Sequence, residues 1–217
     1  MIRRLLLALV VITTACSRGL TPIVSPAPVE GPGESPGPSP RPMLGPTPAH
    51  VGPLNPAVTA DDLDALWARQ LMIPVAGLSR ARVPDTFTAK RDKGIHGALD
   101  LLAPRSTPVV AAADCIIGRL FEGPVGGIVI YAYDADERFV YYYAHLERYR
   151  RGLAVGDRVA KGSVIGYVGT TGNAPPDTPH LHFQVMKRGA GRAWWDGPPI
   201  NPYSFFAVEA PRTSTGR

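Results

Sequence analysis

The sequence predicts a mainly β fold: a small antiparallel β-sheet domain, preceded by a short helix and a disordered linker. From Ile73 onward, short apolar runs rich in Val, Ile, Tyr and Phe alternate with Gly, Pro and Asp breaks. No long helical pattern separates these runs, so the strands follow one another through turns and pair antiparallel. The Pro surplus (24 Pro beside 23 Gly in 217 residues) gathers upstream of them, which marks that stretch as tether rather than fold.

Residues 1–16 read MIRRLLLALVVITTAC. A positive start at Arg3 and Arg4, an apolar run from Leu5 to Ile12 and small residues before Cys16 have the layout of a secretory signal peptide. The run is shorter than the ~20 residues a membrane-spanning helix needs. The ending Thr-Thr-Ala-Cys resembles a bacterial lipoprotein signal, in which the Cys (here Cys16) receives a lipid. Ser17 after it resembles the outer-membrane class of Gram-negative lipoproteins, so a periplasm-facing lipoprotein of the outer membrane is expected. Residues 17–58 form the Pro/Gly-rich linker, with too little apolar surface to offset the entropy of ordering and a bias towards extended polyproline segments.

A helix opens at Thr59-Ala-Asp-Asp, a capping signature. Leu63, Leu66, Trp67 and Leu71 recur at helical spacing, and Pro74 ends it. The predicted strands are 109–113, 116–121, 127–133, 139–145, 163–169 and 181–186, with a hairpin turn at Asp134-Ala-Asp136-Glu. The domain spans residues 59–210, and residues 211–217 are a frayed tail. Trp194 and Trp195 are read as closing the core over the sheet; a substrate wall is the alternative. The two Cys are too few for a disulfide framework, and Cys115, within an apolar run, is expected to be a buried inert thiol. The net charge of +5 comes without any Lys/Arg run interleaved with aromatics, which argues against a nucleic-acid partner. A monomer is expected.

Five His are present. His50 lies in the linker and receives no role. The others stand in Gly94-Ile-His96-Gly-Ala-Leu-Asp100, Tyr143-Ala-His145-Leu and Pro179-His180-Leu-His182-Phe. On a strand, His180 and His182 project from one face. His96 and Asp100, four apart, share a face in a strand or a helix. Two imidazoles and a carboxylate are three ligands for a divalent transition metal, and three ligands with an open fourth position is the arrangement of catalytic zinc. Spacing alone does not decide between His180 and His182 as the ligand.

HxxxD, then a His in Tyr-Ala-His-Leu, then HxH, in that order, resembles the lysostaphin-type (LytM-like) zinc peptidases. Asp85-Thr-Phe, Arg91, Leu101-Leu-Ala-Pro104, Thr107-Pro-Val, Ala111-Ala-Ala-Asp, Gly156-Asp-Arg-Val-Ala-Lys-Gly162 and Ile165-Gly-Tyr-Val-Gly-Thr-Thr-Gly172 extend the likeness from about Val75 to Phe206. The resemblance implies a β domain with a groove over one zinc ion, held by His96, Asp100 and His182, with His145 and His180 as the catalytic pair. It implies an endopeptidase acting on the peptide cross-links of bacterial peptidoglycan, with the bond between D-Ala and a diamino acid as the expected target in a Gram-negative envelope. The alternative within the same fold is a non-catalytic module that binds wall or activates an amidase. Cys115 stands where that family often has Gly, Gln184 where it often has Glu, and residues 173–178 replace a Ser/Thr/Gly-rich loop.

Overall fold

The structure is a computed structural model that describes residue 55, residues 57–91 and residues 94–207. The signal segment, Cys16, His50, most of the linker and the tail lie outside the described residues.

One α-helix, α1 (Ala60–Ala68), leads the domain. Its start is a reciprocal cap: the Asp62 amide donates to Thr59 Oγ1 at 3.2 Å, and Asp62 Oδ2 accepts the Thr59 amide at 2.8 Å. The helix stops sooner than the apolar spacing predicts. Arg69 caps it and Gln70 turns to φ 48°, so Leu71 leaves the helix and bridges Phe206. Burial explains the break, because Leu71 is fully buried in that bridge and one more helical turn would withdraw it.

Eleven strands follow among the described residues: β1 (Lys90–Arg91), β2 (Gly94–Ile95), β3 (Leu99–Leu102), β4 (Pro108–Val110), β5 (Cys115–Gly123), β6 (Gly127–Tyr133), β7 (Phe139–Tyr149), β8 (Arg158–Val159), β9 (Val164–Val168), β10 (His180–Lys187) and β11 (Pro199–Ile200). β1 and β2 form a small hairpin, and the other nine make one sheet in the order β11-β10-β7-β6-β5-β8, with β3 on β10 and β9 joining β4 to β7. Every strand pairing is antiparallel, as expected. The run predicted as 109–113 is strand only to Val110, after a register shift. Its three alanines form a buried connection, with the Ala112 amide bonded to the Tyr143 hydroxyl at 3.0 Å. β1, β2, β3, β8 and β11 are too short to show a period of two.

Ile117, Ile130, Ala132, Tyr141, Tyr143, Leu181, Phe183 and Val185 point to one side of the sheet and belong to the hydrophobic core. Tyr131, Tyr133, Tyr142, His182 and Gln184 alternate with them and face the other side. The β6–β7 hairpin is closed by Asp134, whose Oδ1 accepts the Arg138 and Phe139 amides at 2.7 and 3.0 Å. Val58, the last residue assigned to the linker, is buried against the core. Cys115 is buried as expected, and burial pushes its thiol up to about 12. No helix among the described residues is long and apolar enough to cross a membrane.

Asp62 ties the helix to the sheet. It is 2% exposed, and it accepts from Arg138 Nε at 2.9 Å and from Lys187 Nζ at 2.9 Å as well as from Thr59. Burial opposes its ionisation, but the Thr59 amide, Lys187 and Arg138 outweigh that and hold the carboxyl well below the usual range. A depressed carboxylate stabilises the fold above its unfolded pKa, near 3.9, and the gain is lost as the pH falls through the folded value. Asp62→Asn is expected to cost about 2–4 kcal/mol in urea unfolding at pH 7. The deficit should shrink as the pH is lowered below about 4; a loss below about 0.5 kcal/mol at pH 7 would contradict the role of this clamp.

Candidate metal and catalytic site

β3 and β10 pair in a register that sets Asp100 opposite His182. Both side chains rise on the face away from the core. His96 arrives from the end of β2, where its amide bonds the Ala89 carbonyl at 2.8 Å and Gly97 takes φ 69°. A positive φ at this tight corner favours glycine. Thr86 aligns both neighbours: its hydroxyl accepts the Asp100 amide at 3.0 Å and its carbonyl lies 3.1 Å from His96 Nδ1.

Three atoms converge as a result. His96 Nε2 is 3.2 Å from His182 Nδ1 and 3.2 Å from Asp100 Oδ1, and His182 Nδ1 is 3.1 Å from Asp100 Oδ1. A carbonyl can only accept, so His96 carries its proton on Nδ1 and turns the Nε2 lone pair towards the others. Burial disfavours a charge on Asp100, yet the adjoining His182 and His96 imidazoles hold its carboxyl well below the ordinary range, so it is a carboxylate. Arg91 Nη2 donates to Asp100 Oδ2 at 2.9 Å, which leaves Oδ1 alone facing the imidazoles. A tetrahedral ion with bonds of 2.0–2.1 Å has donor–donor edges of about 3.3–3.4 Å. The observed triangle fits such an ion closely, and two imidazoles with one carboxylate are a donor set suited to zinc.

His145 and His180 stand at the edge of this triangle. His180 Nε2 is 3.8 Å from Asp100 Oδ1, and the His145 ring centre is 5.0 Å from that of His180 and 5.7 Å from that of His182. Each His gives Nδ1 to a backbone carbonyl: His145 to Thr171 at 2.9 Å and His180 to Thr178 at 2.8 Å. In the neutral rings Nε2 is therefore the free, basic nitrogen. Strict alternation from the buried Tyr141 and Tyr143 would send His145 into the core. A bulge prevents this. Ile130 faces Tyr143 while Ile128 faces Leu146, so two residues of β7 oppose one of β6. His145 takes φ 59° there and its amide bonds the Gly126 carbonyl at 2.8 Å. Its ring thus lines the groove while Leu146 returns to the core. Thr171 pins the bulge from both sides, as its hydroxyl donates to the Leu146 carbonyl at 2.7 Å and accepts the Ile128 amide at 2.9 Å.

The groove encloses about 570 Å³ and is lined by the four His, Asp100 and Arg91, with Tyr142, Val125 and residues 173–175 and 178 as walls. Trp194 and Trp195 do not close the core. They lie half-buried on the opposite sheet face, edge-on to Tyr131 at 6.5 Å and tilted against it at 6.3 Å respectively. Gly118 makes this possible, since a Cβ there would collide with the Trp194 and Tyr133 rings. Sequence reading gave no role to Thr171, Thr178 or Tyr142. Both threonines orient a His through a main-chain carbonyl, which carries no residue signature; the Thr171 hydroxyl serves a bulge that no local pattern encodes, and Tyr142 differs from its buried neighbours only in the face it takes.

Burial lowers both His145 and His182 below the ordinary 6.5, more than the Thr171 carbonyl and the Asp100 carboxylate raise them. A His whose folded value is depressed favours unfolding when protonated, so stability is lost as the pH falls below about 6.5. NMR titration of the metal-free protein should place both midpoints below 6.5; a midpoint above it at His145 would contradict the buried geometry.

The sequence profile of peptidase family M23 matches residues 94–202. An L-Ala–D-Glu endopeptidase of Bacillus subtilis is 33% identical over 114 residues, covering 50% of this chain and 33% of that protein. The peptidoglycan DD-endopeptidase ShyC of Vibrio cholerae is 32% identical over 114 residues, covering 50% and 25%. The chain thus spans a third or less of the length of these curated relatives. Among solved structures, a lytM protein of Ruminococcus gnavus superposes with a TM-score of 0.53 at 24% identity, covering 65% of this chain and 61% of that one, and it shares the fold. The matched segment takes in all four clustered His and Asp100 and amounts to half of the sequence: the chain belongs to peptidase family M23.

Proposed function

We propose that this protein is a zinc-dependent endopeptidase that hydrolyses peptide cross-links of bacterial peptidoglycan. The convergence of His96 Nε2, Asp100 Oδ1 and His182 Nδ1 on one point, in a groove that also presents two basic imidazole nitrogens, carries this reading. The names of the relatives support the substrate: one acts on an L-Ala–D-Glu bond and another is a peptidoglycan endopeptidase.

His96, Asp100 and His182 would hold the ion. Bound zinc supplies Lewis acidity, which lowers the pKa of a coordinated water towards about 7 and polarises a carbonyl. The remaining chemistry belongs to the protein. His145, kept neutral by burial and oriented by the Thr171 carbonyl, offers Nε2 as a proton acceptor. His180, oriented by Thr178, presents its Nε2 3.8 Å from Asp100 Oδ1 and beside the His145 ring. Once protonated, that nitrogen donates to the tetrahedral oxyanion or to the leaving amine. Arg91 neutralises the outer oxygen of Asp100 and keeps the carboxylate from turning.

The envelope setting follows from the same reading. Cleavage at the signal-like segment and a lipid on Cys16 would anchor the chain in the outer membrane, facing the periplasm. Residues 17–58 would let the domain, from residue 59 to 210, reach the wall as a monomer. These assignments rest on the sequence alone.

Zinc-loaded protein is expected to release cross-link peptides from purified peptidoglycan, and a chelator should stop it. His145→Ala should retain one zinc per chain and lose about 10²–10⁴-fold in rate. His182→Ala should lose the zinc itself. Elemental analysis and mass spectrometry of the released peptides check both. Unchanged release in the presence of chelator would overturn the catalytic reading in favour of a wall-binding module.

A further inference from the structure

We propose that Arg119, together with Phe121 and Trp195, forms a second binding point on the sheet face of the groove, one that takes a free carboxylate of the peptide being cut. The inference rests on the peptidase reading above. It begins with a bulge. Ile117 pairs with Ala132 and Arg119 pairs with Tyr131, so Gly118 is an extra residue in β5. Without it, Arg119 would follow Ile117 into the core, two positions along. With it, Arg119 is turned onto the face that carries His182, Tyr142 and Tyr131.

The guanidinium then lies against two rings. Its carbon lies 4.3 Å from the centre of Phe121 and 4.4 Å from that of Trp195. Among the described residues it has no carboxylate within ion-pair distance and no hydrogen-bond acceptor. Asp196, on the same loop as Trp195, is exposed and makes no ion pair with it. Most other arginines in this part of the fold are committed: Arg138 to Asp61 and Asp62, Arg188 to Glu137, Arg69 to Asp134 and Asp136. A stacked guanidinium has given up much of its rotational freedom before any ligand arrives and keeps its N–H fork for a planar anion. Half-burial between rings also limits the screening that weakens open surface pairs.

Position selects the anion. Gln184, Tyr142, Tyr131 and Arg119 form one row across β10, β7, β6 and β5. The ring of Tyr142 is 6.0 Å from His182, and that of Tyr131 is 4.6 Å from Tyr142. From Gln184 to Arg119 the row measures about 14 Å across three strand spacings, and His182 stands two residues along β10 from Gln184, so a floor that includes Tyr142 and Tyr131 leads from the metal triangle to Arg119 over about 16 Å. An extended peptide covers that span in about five residues. A peptide chain lying on this floor with its scissile bond at the triangle would bring a carboxylate branch about five residues away onto Arg119. The complementary ligand is therefore an acidic peptide, which the positive point favours over neutral or amidated ones.

The test uses the full, metal-free protein and calorimetric titration with two probes, a synthetic wall stem peptide with its branch carboxylates free and the same peptide amidated. Wild type should prefer the acidic peptide by about tenfold. Arg119→Gln should bring the two affinities together, and Arg119→Lys, which keeps the charge but loses the planar fork, should keep a smaller preference. Equal binding of both probes by wild type would overturn the assignment. So would an undiminished preference in Arg119→Gln, no binding at millimolar peptide, or competition by inorganic phosphate stronger than by the acidic peptide. Zinc-dependent cleavage is measured separately on the same preparations. Loss of the carboxylate preference with cleavage intact rejects this subsite alone, whereas absent cleavage with the preference intact rejects the peptidase reading.

Discussion

Three electron-pair donors 3.1–3.2 Å apart repel one another unless a positive charge offsets them, and this convergence sets the demands on the surrounding fold. Two of the three have their other polar atoms occupied. His96 has its proton fixed by the Thr86 carbonyl, and Asp100 has its outer oxygen taken by Arg91. Thr86 also receives the Asp100 amide, so one residue upstream of the first His sets the position of two donors from separate elements. The β3–β10 register completes the triangle, because a slip of one residue would send either Asp100 or His182 to the core side.

Bulges do the other part of the positioning. A regular sheet alternates faces, and a strand that must feed the core with Tyr141, Tyr143 and Leu146 has no regular way to show His145 to the groove. One extra residue solves this at the cost of a left-handed φ, which His tolerates better than a β-branched residue would. The same device at Gly118 turns Arg119 onto that face. Both bulges are buttressed by close packing, at Thr171 in one case and under Trp194 in the other, so the irregular backbone is held where the groove uses it.

Much of this was legible in the sequence. The long strands, the hairpin at Asp134, the capping box at Thr59 and the antiparallel order follow from periodicity and turn chemistry. The shared face of His180 and His182 follows from a period of two, and the resemblance carried by HxxxD, Tyr-Ala-His-Leu and HxH picked out the residues that the fold gathers. What was not legible has physical causes. The helix ends at Ala68 because Leu71 is claimed by a long-range bridge to Phe206, which no local pattern encodes. The bulges invert the face of every residue after them, so His145 and Arg119 contradict simple alternation. The tryptophans look like core from composition, yet lie on the groove face because Gly118 leaves room for them there.

The most direct test is the coordination of the metal. A crystal structure of the zinc-loaded protein, with the ion located by anomalous scattering, is predicted to show one zinc bonded to His96 Nε2, Asp100 Oδ1 and His182 Nδ1. His145 and His180 should remain unbonded to the ion and still anchored to the Thr171 and Thr178 carbonyls. A zinc held by His145 or His180 in place of any of the three, or no ion in the groove at saturating zinc, would contradict the account.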